Sequence, residues 1–190
     1  MVGGCLAETV DWTVLGLTVL AFGLAMGVGA HALDELNGRP LGTSIPVWAL
    51  VGLAVASVAA AAAIGIAVSV DRTLWLLPLV ALGAALVPVY NLELLGGRAH
   101  TDLGFALAWG AFPVVTAYVA QTETLRAEAL LAALWATLLS LAQRRLSTPA
   151  RRLRRSPEPP SGDLGPLEDA LRLLTAATIV LAAALVALRA

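Results

Sequence analysis

The chain has 190 residues, of which 59% are hydrophobic and 13% charged, with a formal net charge of −1. Its mean hydropathy of +0.85 lies far above that of a soluble domain. This balance argues against nucleic acid as a partner, and the lone Cys5 leaves no internal disulfide to form.

The first segment, Met1–Asp11, has acids but no basic residue, so it does not read as a signal peptide. Six apolar stretches follow, at Trp12–Ala32, Pro46–Val70, Thr73–Tyr90, Leu103–Ala120, Leu125–Ala142 and Leu167–Leu188. A hydrocarbon core about 30 Å thick needs about 20 helical residues. No soluble domain of this size buries so many helices that are apolar all round. The predicted fold class is therefore all-α: a polytopic membrane bundle of six transmembrane helices forming a single domain over residues 1–190.

The first stretch carries Gly23 and Gly27 at a spacing that lets helix backbones approach closely. The second, rich in Ala, Val and Gly over Ala54–Ala67, is thin enough for a crowded interior. Pro78, Pro88 and Pro113 fall within predicted helices and are expected to bend them, for packing or to shape a cavity.

Every basic residue is an arginine, and they are unevenly placed. With the loop holding Arg144, Arg145, Arg151, Arg152, Arg154 and Arg155 inside, alternating crossings put Arg39, Arg98 and Arg172 on the same side. Only Arg72, Arg126 and Arg189 then lie outside, nine against three. The positive-inside rule thus predicts a multi-pass protein of the cell membrane with both termini outside and the arginine loop cytoplasmic. Residues 144–165 read as a cytoplasmic Arg/Pro-rich linker. Its arginines suit anionic lipid headgroups, at about 1 kcal/mol per residue near the surface. Pro166, Glu168 and Asp169 fit the start of the last helix.

Two polar constellations stand out at the cytoplasmic ends. In the first, His31, Asp34 and Glu35 share one helical stripe, followed by Asn37 and Arg39. One imidazole and two carboxylates at this spacing could hold a divalent cation through Asp34 and Glu35, or simply end a helix at the interface. Asp34 is expected to pair with Arg39 or Arg98, because a carboxylate near hydrocarbon is costly unless partnered. The second constellation runs from Tyr90 and Asn91 through the Gly96–Gly97 turn to Arg98, His100, Thr101 and Asp102. It offers Arg98 and His100 as an anion clamp, with Thr101 or Asp102 capping the next helix; an ordinary polar loop would look the same.

Together these segments resemble the UbiA superfamily of intramembrane prenyltransferases. Gly38-Arg39-Pro40-Leu41, leading to Ile45-Pro46, is similar to the family's return after its Asp-rich helix end. Tyr90, Arg98 and the Leu103–Gly110 segment are similar in order and spacing to a second family segment. The resemblance covers about residues 15–145 and implies a UbiA-like bundle, an allylic diphosphate donor and Mg²⁺ held by carboxylates of two motifs.

The chain departs from that pattern. His31 and Gly38 stand where the first motif has aspartates, and Gln143, Arg144 and Arg145 stand where the second acidic motif belongs. The usual nine helices are reduced to six. Arg144 and Arg145 could hold phosphate by charge without metal, a site better at binding a diphosphate than ionising one. The expectation is a cytoplasm-facing pocket that binds an isoprenoid, prenyl-diphosphate-like or anionic lipid through His31, Asp34, Glu35, Asn37, Arg39, Tyr90, Asn91, Arg98, Arg144 and Arg145. Two alternatives remain open: a divergent prenyltransferase completed by a homo-oligomer or partner, and a packing subunit of a larger membrane complex.

Overall fold

The computed structural model describes residues 1–155 and 164–190. Among these residues every regular element is helical: α1 (Val2–Cys5), α2 (Trp12–Leu36), α3 (Val47–Asp71), α4 (Leu76–Asn91), α5 (Asp102–Thr122), α6 (Ala127–Arg155) and α7 (Leu164–Arg189). A single 3₁₀ turn, Leu95–Gly97, interrupts the α4–α5 connection.

Four of these helices, α2, α3, α5 and α7, are long and apolar enough to cross a membrane. Helix α4 is apolar but has 16 residues, about 24 Å at 1.5 Å per residue. Helix α6 starts apolar and ends basic over 29 residues, about 44 Å. Outward faces carry Trp48 and Trp75, 78% and 77% exposed, and α7 buries no residue. Water would not tolerate so much apolar surface; it is consistent with a membrane protein.

Packing rests on small residues. A Cβ on Gly110 of α5 would lie 2.6 Å from Ser140 Oγ and 2.7 Å from the Ala136 carbonyl oxygen of α6. Two transmembrane-length helices contain π turns. In α5 the π turn Ala106–Ala111 ends two residues before Pro113, which lacks an N–H and cannot complete an ordinary helical ladder. In α2 the π turn Gly23–Gly29 shifts the face on which the following residues lie. Three small apolar cores result, with Leu33, Leu50 and Val87 in one, Val14, Leu76 and Val119 in another, and Val114 and Ala136 in the third.

One end of the bundle is knitted by polar contacts. Asp11 caps α2 by accepting from Thr13 and Val14 N–H, while its backbone exchanges two hydrogen bonds with the Gln121 amide. Arg72 faces Asp11 at 3.6 Å, and the Tyr118 hydroxyl donates to Glu128. Helix α1 hooks back into the bundle beside α5, where a Cβ on Gly3 would fall 2.1 Å from the Val114 oxygen. Arg189 donates to the Cys5 and Glu8 carbonyls, so both ends of the chain lie at this end of the bundle.

The expected arginine linker is corrected in part. Residues 144–155 continue α6 as helix, with Pro149 inside it. Pro149 removes the hydrogen bond to the Arg145 carbonyl, and Arg145 is exposed, so water can replace it. The remainder of the linker, residues 156–163, lies outside the described residues.

Candidate functional site

At the opposite end, the last turns of α2 and α4 lie side by side: the Asn37 side-chain amide donates to the Asn91 carbonyl at 3.1 Å. Asn91 is buried and donates to the Val87 carbonyl at 2.7 Å. The connection after α2 is built around Glu35. Its carboxylate, 2% exposed, accepts from Leu41 N–H at 3.0 Å, Thr43 N–H at 2.7 Å and the Thr43 hydroxyl at 2.8 Å. Arg39 closes the same turn by donating to the Thr43 and Ile45 carbonyls at 2.8 and 2.9 Å. Gly38 and Gly42 supply positive φ angles there, which a side chain would strain.

Glu35 and Arg39, expected to face a ligand, make their hydrogen bonds within this turn. Both serve the turn. Adjacent residues on a helix point about 100° apart, so Asp34 and Glu35 do not converge on one ion. Both Glu35 oxygens are engaged by donors, leaving Asp34 alone. No group of three His, Cys, Asp or Glu side chains converges among the described residues. Glu35 is therefore not free to share a divalent cation with Asp34.

His31 is exposed, with Nδ1 3.2 Å from the Met26 carbonyl of its own helix. Asp34 is half-buried and makes no hydrogen bond or ion pair among the described residues. The expected pairing with Arg39 or Arg98 does not form; the groups whose charge reaches Asp34 are His31 and His100. Arg98 and Arg145 are exposed and form no ion pair among the described residues.

Tyr90 is the centre of this end. Its ring is 4% exposed, stacks on His100 at 4.7 Å and meets Trp109 edge-on at 5.3 Å and Phe105 at 6.1 Å. His100 is fixed by a 3.2 Å contact between Nδ1 and the Tyr90 carbonyl. Thr101 caps α5 by accepting from Gly104 N–H, which aims Asp102 at α6. Arg144 Nε donates to Asp102 at 3.0 Å, and its guanidinium lies 5.1 Å from the Phe105 ring centre. The Tyr90 hydroxyl is buried without a hydrogen-bond partner. Arg144, Asp34, Asp102 and Arg151 are the charges within its electrostatic reach.

Beneath Tyr90, between α2, α3, α4 and α5, lies an apolar cavity of about 90 Å³. Phe22, Met26, Gly65, Gly83, Trp109 and Thr116 are among its lining residues. Trp109 therefore belongs to both regions, forming the partition between the cavity and the Tyr90 cluster. Thr116 Oγ is buried there without a partner.

Of the residues expected at a common site, Asp34, Asn37, Tyr90, Asn91 and Arg144 come together; His31 stands at the edge. Asp102, Phe105 and Trp109 complete the cluster, with the exposed Arg151 within electrostatic reach of Tyr90, and were not anticipated as site residues. Phe105 and Trp109, four apart on α5, carry a sequence signal for a shared aromatic face, and Asp102 could have been matched to Arg144 by charge. No family model, curated protein or solved structure matches this chain.

Proposed function

We propose that the chain is a six-span, UbiA-like membrane bundle that binds an isoprenoid or anionic lipid, part of its chain entering the apolar cavity and its phosphate headgroup at the Tyr90–Arg144 end. The observation that carries this reading is that Trp109, a wall of the cavity, also packs edge-on against Tyr90, whose buried hydroxyl has no partner. An apolar chamber with a few polar groups at one mouth is the general form of a lipid site. Arg144, oriented by Asp102 and Phe105, sits where the phosphate would be held.

The reading is binding rather than prenyl transfer. A diphosphate leaving group needs dense positive charge from metal or arginine in the transition state. Glu35 is engaged by its turn, and two aspartates share the cluster with the arginines. The arginine-rich end of α6 is cytoplasmic in this reading, and the paired chain ends at the Cys5–Arg189 contact favour an even number of crossings.

Mass spectrometry of lipids retained by the purified protein tests the reading. A stoichiometric isoprenoid or phospholipid, lost in Trp109→Ala, is expected; a lipid-free protein would overturn it. A second reading has one observation in its favour: α7 buries no residue, as a helix packing against another membrane subunit would. A lipid-free protein that co-purifies in a fixed complex supports that reading instead.

A further inference from the structure

The charges around Tyr90 are of both signs. Arg144 is paired with Asp102 at 3.0 Å, and Arg151 and Asp34 also lie within the electrostatic reach of the Tyr90 hydroxyl. That leaves one carboxylate, Asp34, without an ion pair among the described residues, and one buried hydroxyl, Tyr90, without an acceptor. A ligand carrying only negative charge would satisfy the hydroxyl and the arginines, yet sit against Asp34. A ligand carrying only positive charge would do the reverse.

We propose that this end receives a phospholipid headgroup bearing an ammonium as well as a phosphate, the ammonium on Asp34 and the phosphate on Tyr90, Arg144 and Arg151. The placement follows from the neighbours. Asp34 is one turn of α2 before Asn37, which donates to the Asn91 carbonyl, so Asp34 and Tyr90 stand on adjoining last turns of α2 and α4 and the Asp34 charge reaches the Tyr90 hydroxyl. The other titratable groups facing Asp34 are His31 and His100. His31 is turned to the Met26 carbonyl, and His100 is bonded to the Tyr90 carbonyl with Glu93 3.9 Å from its Nε2. Neither imidazole therefore contacts Asp34 as an ion-pair partner.

The inference rests on the lipid-binding reading and specifies its headgroup. Phosphatidylethanolamine has both charges, whereas phosphatidylglycerol has the phosphate alone; a charge-assisted contact to Asp34 corresponds to roughly a tenfold preference. Native mass spectrometry of the full chain, with equal amounts of the two lipids, measures it. Phosphatidylethanolamine is expected to be retained about tenfold over phosphatidylglycerol. Asp34→Asn should abolish the preference while lipid remains bound, and Asp34→Glu should restore part of it. Retention of lipid with no preference, or a preference unchanged in Asp34→Asn, overturns the headgroup inference and leaves lipid binding standing. Retention of neither phospholipid, with an isoprenoid phosphate bound instead, also overturns it. Retention of no lipid at all overturns the underlying reading as well.

Discussion

Replacing Glu35 by alanine separates a turn-locking carboxylate from a metal ligand. The side chain is 2% exposed and accepts three hydrogen bonds, two from backbone and one from the Thr43 hydroxyl. Bonds to a charged acceptor contribute about 1.5–3 kcal/mol each when desolvated. Leu41 is exposed and Thr43 half-buried, so water can reach the released donors, and about 1 kcal/mol per bond is appropriate. The sum is about 3 kcal/mol, or about 6–12 °C in Tm for a chain of this size. Thr43→Ala removes only the hydroxyl donor and should cost about 1 kcal/mol, and about nothing in the Glu35→Ala background, because the two changes delete the same contact. Thermal unfolding in detergent, followed by tryptophan fluorescence, reads all three proteins. Mg²⁺ is expected to leave the wild-type Tm unchanged. A Tm rise with Mg²⁺ that vanishes in Glu35→Ala would refute the reasoning, as would an unaltered Tm in that variant.

Two further outcomes follow from the other end of the bundle and from the arginines. Gly3→Ala places a Cβ 2.1 Å from the Val114 oxygen and should eject the α1 hook, so that Cys5, 1% exposed, becomes reactive to maleimide; continued protection would show that the hook is not held by this contact. In a Cys5→Ala background, Glu123→Cys should be labelled by an impermeant maleimide on intact cells and Arg98→Cys only after permeabilisation. The reverse pattern would invert the topology read from arginine placement.

Four helices were legible because each is a long apolar run, and the Thr101 and Asp102 alternatives for capping α5 resolve to Thr101. What was not legible depends on packing. Val2–Cys5 is too short to show a period, and only its fit against α5 makes it an element. The arginines and Pro149 read as a linker, yet Ser147 and Ala150 are buried and Arg144 is tied to Asp102, which keeps α6 helical to Arg155. At the candidate site, Asp34 and Glu35 look equivalent in sequence. The direction of the chain after Leu36 gives Glu35 to the turn and leaves Asp34 free, a distinction made by backbone that one-dimensional spacing does not contain.

That division of labour also bears on chemistry. A site that ionises a diphosphate must be more positive than its ligand's ground state requires, since charge accumulates on the leaving oxygen as the bond breaks. Here Arg144 is paired with Asp102 at 3.0 Å, and Glu35 is engaged by three donors of its own turn. Field that would favour the transition state is cancelled locally. What the cluster offers is charge of both signs, the Asp34 carboxylate beside the Tyr90 hydroxyl and the Arg144 guanidinium. In the proposed reading, such an arrangement would favour an intact headgroup over its fragments. Removing Asp34 should accordingly change which lipid is held without creating turnover.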